Sequence, residues 1–168
     1  GTNIANMGQM VLGGPKIIPC TAAAVMEHIR STSIDLPGKE AVIIGRSEIV
    51  GKPVALLLVE QRVTVTVCHQ GTSQAGKLTD HVKRADILVV AMGKPNFVKG
   101  EWIKEGAIVI DVGINKVDGK ICGDVEFESA RKKASYITPV PGGVGPVTVV
   151  MLMKNSIEAF KMQNKISG

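Results

Sequence analysis

The stretch AVIIGRSEIVGKP, residues 41–53, places a short apolar run directly before a glycine-containing turn. Ala41–Gly45 has the length and the β-branched residues of a buried strand. The residues that follow, roughly Val50–Gln61, predict a helix in which Pro53 is tolerated because it lies in the first turn. A strand, a tight turn and a helix in this order are typical of α/β proteins with a parallel sheet.

The same unit repeats along the chain. Further strands are predicted at Val63–His69, Ile87–Gly93, Ala107–Gly113 and Tyr136–Thr138, and further helices at Lys77–Ala85, Glu126–Ala134 and Pro146–Gln163. Strands that are apolar throughout indicate a mainly parallel sheet with helices on both faces. We therefore predict a doubly wound, Rossmann-like α/β domain over residues 36–168, after a lead-in segment over 1–35 whose helix begins at an N-capping Thr21.

Composition excludes several classes of protein. The 168 residues are 45% hydrophobic, which predicts a globular chain, and no apolar run approaches the ~18 residues of a membrane span. A net charge of +5 with only 3% aromatic residues favours an ordinary basic surface or an anionic small ligand over nucleic-acid binding. Three scattered cysteines without a CxxC pair argue against disulfides and a metal site, and predict a reducing compartment, the cytoplasm.

The turn after the first strand has the composition of a phosphate-binding loop. Ligands of such sheets bind beyond the carboxyl ends of the strands. Gly45 permits a tight turn, Ser47 brings a hydroxyl, and Gly51 lets helix and strand pack closely. The N-terminus of the following helix favours an anion. The alternative is a turn that needs its glycines only for its own shape.

The end of the second strand distinguishes between two nicotinamide cofactors. An NAD site usually has an acidic residue there, but Cys68–Thr72 contains none. Arg46 and Ser47 in the neighbouring turn suit the 2′-phosphate of NADP, since arginine binds phosphate through two hydrogen bonds. The alternative for Arg46 is a surface pair with Glu48. His69 is either a residue that stacks on adenine or an ordinary strand-end histidine.

Three other strand ends are expected at the same crevice: Ala91–Pro95, Asp111–Asn115 and Thr138–Pro146. Asp111 is a candidate catalytic acid, although a carboxylate that caps nearby backbone N–H groups is the favoured interpretation. The only tyrosine, Tyr136, is followed four residues later by Val140, so the chain has no YxxxK pair.

Four segments, GRSEIVGKPVALLL, ADILVVAMGKP, IKEGAIVIDVGIN and YITPVPGGVGPVTVVML, occur in an order that resembles the bifunctional 5,10-methylenetetrahydrofolate dehydrogenase–cyclohydrolase family. The resemblance covers nearly the whole chain and implies a Rossmann domain that binds NADP. It implies that Gly45, Arg46 and Ser47 contact the cofactor, that Gln70 lies near the 2′-phosphate, and that Ile114 lies at the nicotinamide. Because Gln70 carries no charge, NAD stays open as the alternative cofactor.

The resemblance also assigns the loop Pro141, Gly142, Gly143 and Val144 to the folate and nicotinamide side of the cleft. Glycines let the backbone approach flat rings, and prolines hold the loop in shape before a ligand binds. The alternative is a rigid turn before the last helix, since Pro146 also suits a helix start.

The function implied by the resemblance is oxidation of 5,10-methylenetetrahydrofolate to the methenyl form and its hydrolysis to 10-formyltetrahydrofolate, often in a homodimer. Family members carry an N-terminal folate-binding domain whose YxxxK lysine transfers protons, and nothing in residues 1–35 resembles it. We therefore expect the cofactor half alone, with no catalytic residue of its own and inactive without that domain. The alternative is a stand-alone, non-catalytic nucleotide-binding or dimerisation module.

Overall fold

The computed structural model describes residues 1–165 and contains a parallel sheet with a separate hairpin. The strands are β1 (Glu40–Ile44), β2 (Thr64–Cys68), β3 (Ile87–Val90), β4 (Ile108–Asp111), β5 (Asn115–Val117), β6 (Lys120–Cys122) and β7 (Tyr136–Ile137). The sheet has the order β2-β1-β3-β4-β7, and every pairing in it is parallel. Antiparallel β5 and β6 form the hairpin, with Asp118 and Gly119 at its turn.

Helices connect and cover the strands. They are α1 (Ile4–Leu12), α2 (Cys20–Ser31), α3 (Gly51–Glu60), α4 (Gln70–Gln74), α5 (Leu78–Arg84), α6 (Phe127–Ala130) and α7 (Val144–Gln163), with a 3₁₀ turn at Gly100–Trp102. The long final helix begins two residues before Pro146, which therefore lies in its first turn, where a proline costs little.

The two faces of the sheet bury separate cores. In β1, Ala41 and Ile43 pack on the side of α2, α3 and α7, whereas Val42 and Ile44 pack on the side of α5 and α6. Successive side chains of a strand point to opposite faces, so a strand covered on both sides must be apolar at every position. The prediction of a doubly wound α/β fold with a parallel sheet is confirmed.

The N-terminal part differs from the sequence-based expectation. Helix α1 was not predicted, and it begins after Asn3, whose side chain accepts a hydrogen bond from the Asn6 N–H at 2.8 Å. The prediction that Thr21 caps α2 is wrong, because the helix begins at Cys20 with Pro19 at the N-cap position. The division into a lead-in over 1–35 and a domain over 36–168 stays a prediction, although α2 contributes buried side chains to one of the two cores.

Helices α1 and α7 expose many large apolar side chains. On α7 more than half of the surface of Leu152, Met153, Ile157 and Phe160 is exposed, and on α1 the same holds for Ile4, Val11 and Leu12. Within residues 1–165, no helix combines the length and the apolar character needed to cross a membrane.

Candidate functional site

Two cavities lie at the carboxyl edge of the sheet, one on either side of the turn between β1 and α3. Gly45 has φ +126°, and a side chain there would strike the carbonyl of Ala91 at the end of β3. A side chain at Gly51 would strike the carbonyl of Gly45. Both glycines are therefore required for the close packing of β1, β3 and the first turn of α3.

The Ser47 side chain stabilises this turn through hydrogen bonds to its backbone. Its Oγ accepts hydrogen bonds from the N–H groups of Val50 at 3.2 Å and Gly51 at 3.5 Å, and so holds the start of α3. A serine hydroxyl that accepts two bonds still has its own hydrogen to donate. The geometry therefore leaves Ser47 able to donate to a ligand oxygen.

The first cavity, which we call the polar cavity, has a volume of about 620 Å³ and brings together four of the predicted site residues. It is lined by Ile44, Gly45, Arg46, Ser47, His69, Gln70, Ser73, Gln74, Leu78, Ala91, Met92 and Lys94. Arg46 and Lys94 are its cationic residues, and no carboxylate of the described part of the chain lines it. The cavity therefore suits an anionic ligand.

Arg46 is available to such a ligand. Glu48 pairs with Lys52 at 2.9 Å instead of with Arg46, and the hydrogen bond from Lys52 lowers the pKa of the Glu48 carboxyl. The Arg46 charge also contributes to the lowered pKa of Glu48, but among residues 1–165 no ion pair joins the two side chains, so the alternative of a surface pair is not seen in the structure. Lys94 lies over Phe97, with its Nζ 5.3 Å from the ring centroid.

His69 has a structural role at the end of β2. Its Nδ1 accepts from the Gly71 N–H at 3.1 Å, and its backbone N–H donates to the Thr72 Oγ at 3.2 Å. These two bonds begin α4, a short helix that the sequence did not predict, and they make Gln70 its first residue. The histidine also lines the polar cavity, where the adenine-stacking role stays a prediction.

The second cavity, which we call the apolar cavity, has a volume of about 550 Å³. It brings together Ile114 and the whole loop from Pro139 to Pro146, including Pro141, Gly142, Gly143 and Val144. Ile114 is 71% exposed, so its side chain is open to a ligand in this cavity. Thr21, Val50 and Ile121 line the same space and were not predicted as site residues.

Asp111 caps backbone groups rather than presenting a free acid. Its Oδ1 accepts from the N–H groups of Gly113 at 2.9 Å and Asp124 at 3.1 Å, and its Oδ2 accepts from Val125 at 2.8 Å. Burial raises the pKa of Asp111 to about 6, against the three N–H donors, which lower it, and the nearby Asp124 charge adds to the rise. The capping interpretation agrees with this geometry, and both oxygens are occupied.

Asp124 and Thr138 are structural site residues whose roles the sequence did not predict. Asp124 is fully buried, and its Oδ2 accepts from the N–H groups of Met92 at 2.7 Å and Gly93 at 2.9 Å. Its Oδ1 accepts from the Lys94 N–H and the Asn115 side chain. The available signal was an acid between Gly123 and Val125, directly after the hairpin.

Among residues 1–165 no group of three or more His, Cys, Asp and Glu side chains is placed to hold a metal ion. The chemistry available at this edge of the sheet is that of cations, hydroxyls, backbone N–H groups and an apolar wall.

Comparison with known proteins agrees with this geometry. Residues 19–164 match the family model described as tetrahydrofolate dehydrogenase/cyclohydrolase, NAD(P)-binding domain. The bifunctional protein FolD of Acetivibrio thermocellus is 57% identical over 162 residues, which are 96% of this chain and 56% of the relative. The chain thus spans little more than half the length of the curated relatives it matches.

Solved structures show the same relationship. The Trypanosoma brucei methylenetetrahydrofolate dehydrogenase-cyclohydrolase, solved with NADP and an inhibitor, is 49% identical with a TM-score of 0.90. The match covers 96% of this chain and 57% of that one. The Campylobacter jejuni bifunctional enzyme is 46% identical with a TM-score of 0.91, at 96% and 57% coverage. The chain belongs to the tetrahydrofolate dehydrogenase/cyclohydrolase family, to whose NAD(P)-binding domain it corresponds.

Proposed function

We propose that this chain binds NADP across the two cavities and supplies the cofactor half of a methylenetetrahydrofolate dehydrogenase and methenyltetrahydrofolate cyclohydrolase. The observation that carries the proposal is the contrast between the cavities. One is cationic without a carboxylate, the other is apolar, and both lie at one sheet edge on either side of the Gly45–Gly51 turn. A molecule with a phosphorylated nucleotide at one end and a flat ring at the other fits this division.

The residues of the polar cavity fit the phosphorylated end. We propose that Gly45 lets the backbone lie against the cofactor, and that Arg46 and the Ser47 hydroxyl bind the 2′-phosphate, with Gln70 beside them. The absence of a carboxylate from this lining supports NADP over NAD, because an acid there would repel the phosphate.

The residues of the apolar cavity fit the nicotinamide and the folate. We propose that Ile114 contacts the nicotinamide ring and that Pro141, Gly142, Gly143 and Val144 form the substrate-side wall. The cofactor supplies hydride acceptance, while this chain orients the rings and keeps water from one side of them. No proton transfer is assigned to Asp111, since its oxygens are occupied by N–H donors.

The proposal is tested by two measurements in one buffer. NADP is titrated into the chain by calorimetry, and 5,10-methylenetetrahydrofolate oxidation is then assayed with NADP. We expect binding without turnover, because none of the described residues that line the apolar cavity, on the proposed folate side, is the proton-transferring lysine expected of the family. Turnover by the chain alone would place the acid and base within these residues, and a lack of NADP binding would refute the proposal.

We also propose two protein partners. The exposed apolar residues of α1 and α7 would contact the part of the relatives' fold that this chain does not match. Adding that part of the Acetivibrio thermocellus relative, produced separately, should restore turnover with the substrate. A mixture that binds NADP and still fails to turn over would contradict this assignment.

The second partner is another copy of the chain. Strand β2 lies at an edge of the sheet and exposes 38% of Val67, which supports pairing between two copies. Sedimentation velocity should show a dimer, and Val67→Lys should shift it to a monomer. A monomer before substitution would contradict this mode of pairing.

Three free cysteines support the cytoplasm as the compartment.

A further inference from the structure

Three buried polar side chains lie together between the two cavities. Asp111, Asp124 and Thr138 are 3%, 0% and 1% exposed, and they are the buried polar side chains of residues 1–165. Polar groups buried without a partner destabilise a fold, so such residues are hydrogen-bonded or serve a function. Their occurrence in one place, rather than across both cores, calls for an explanation.

The three residues form one continuous chain of hydrogen bonds. The Asp111 N–H donates to the Thr138 Oγ at 2.8 Å, and the Asp124 N–H donates to the Asp111 Oδ1 at 3.1 Å. The Asp124 carboxylate then accepts the N–H groups of the turn Met92–Lys94. The ends of β7, β4 and β3 are thereby joined through side chains.

The two ends of this chain lie at different cavities. Met92 and Lys94 line the polar cavity, whereas Asp111 and the loop that directly follows Thr138 line the apolar cavity. The loop folds tightly over Thr138, since a side chain at Gly143 would approach the Thr138 Cβ to 2.8 Å. A movement of the loop relative to the Met92–Lys94 turn would therefore break a buried hydrogen bond.

We propose that Thr138, Asp111 and Asp124 are positioning residues that hold the apolar cavity in a fixed place relative to the polar cavity, so that one NADP molecule can occupy both. The inference rests on the proposed binding of NADP. None of the three residues needs to touch the cofactor. They fix the walls of the two cavities relative to each other before the ligand binds. The ligand therefore does not have to order these walls, and binding is stronger.

Replacement by asparagine has different consequences for the two aspartates. Each Asp124 oxygen accepts hydrogen bonds from two N–H groups. In Asp124→Asn the side-chain NH₂ group, itself a donor, therefore replaces one of these acceptors and faces two N–H donors in either orientation. Asp111→Asn can turn its amide toward the single donor at Val125 and keep the oxygen for Gly113 and Asp124. The second variant is therefore the milder one and is suited to binding measurements.

The experiment compares two ligands on each variant of the chain. NADP spans both cavities, whereas 2′,5′-ADP carries only the nucleotide half and should occupy the polar cavity alone. For Thr138→Val and Asp111→Asn we expect NADP to bind about tenfold more weakly, as for one lost buried hydrogen bond. The affinity for 2′,5′-ADP should change by no more than about twofold. Thr138→Ser, which keeps the hydroxyl, should restore NADP binding.

Controls separate positioning from general stability. Ile29→Val removes one methylene from the core, lines neither cavity, and should lower the melting temperature without changing the ratio of the two affinities. If both ligands lose affinity by the same factor in Thr138→Val and Asp111→Asn, or neither does, the inference is wrong. If the unsubstituted chain binds neither ligand, the proposed function fails first and the inference fails with it.

Discussion

The backbone N–H of Asp124 donates to the carboxylate of Asp111 at 3.1 Å, so two buried acids adjoin each other at the carboxyl edge of the sheet. A second acid in this position disfavours the charged form of the first, in addition to the cost of burial. The pair therefore links the geometry of the site to the pH at which the protein is stable.

The first prediction concerns this pH dependence. The Asp111 pKa is about 6 in the folded chain and 3.8 as its ordinary value, so the folded state holds the proton more tightly. The stabilising contribution is complete below about pH 3.8 and is lost as the pH rises through about 6.

Urea unfolding between pH 4 and pH 7 measures this contribution when the chain is compared with Asp111→Asn. Other titrating groups are common to both proteins and cancel in the difference. Over that range the unsubstituted chain should lose up to about 3 kcal/mol relative to the variant. Two curves that stay parallel would show that Asp111 titrates near its ordinary value.

The second prediction concerns Arg46. Arg46→Ala should weaken NADP binding about 10–100-fold, the effect of losing charge-assisted hydrogen bonds to a phosphate, and should leave NAD binding within about threefold. Calorimetry with both cofactors measures the two affinities. Arg131→Ala is a matched control, since Arg131 pairs with Glu128 on the surface and lines neither cavity. An equal loss for both cofactors would refute the role at the 2′-phosphate.

The third prediction adds a charge to the polar cavity. Gln70→Arg places a second guanidinium next to Arg46 in the lining and should tighten NADP binding by about 3–10-fold while NAD changes little. Gln61→Arg adds the same charge at the C-terminus of α3, outside the cavity, and should have no such effect. If both variants tighten NADP equally, the gain comes from the overall charge and not from the position.

The fourth prediction concerns close packing at Gly51. Gly51→Ala puts a methyl group against the Gly45 carbonyl, so it should lower both the stability and the NADP affinity. Gly8→Ala is the opposite case, because Gly8 lies exposed in α1 with open space around it, and it should stabilise by about 0.5–1 kcal/mol. Thermal unfolding of the two variants should shift in opposite directions.

Some of this site could be predicted from the sequence because its signals are local. Gly45, Ser47 and Gly51 follow a strand and precede a helix, and their spacing alone indicates a tight turn. The same holds for the strands, whose apolar runs need no knowledge of distant residues. The structure then brings Arg46 and Gln70 to one cavity, as expected from the order of the strands.

Other features depend on contacts between distant segments. Asp124 binds N–H groups about thirty residues earlier in the chain, and no local pattern identifies those partners. Helix α1 was not predicted because Gly8 lowers its helix propensity and most of its residues are exposed. The short helix α4 is too short for a periodic signal and depends on the side chain of His69.

The buried hydrogen bonds of Asp111, Asp124 and Thr138 join β3, β4 and β7 but do not involve Arg46 or Gln70 at β1 and β2. A substitution at Arg46 or Gln70 therefore leaves these buried hydrogen bonds intact, whereas removing a polar group at one of the three buried positions leaves a buried partner without its hydrogen bond. The lining of the polar cavity at Arg46 and Gln70 can in this way be altered while the connection between β3, β4 and β7 is kept.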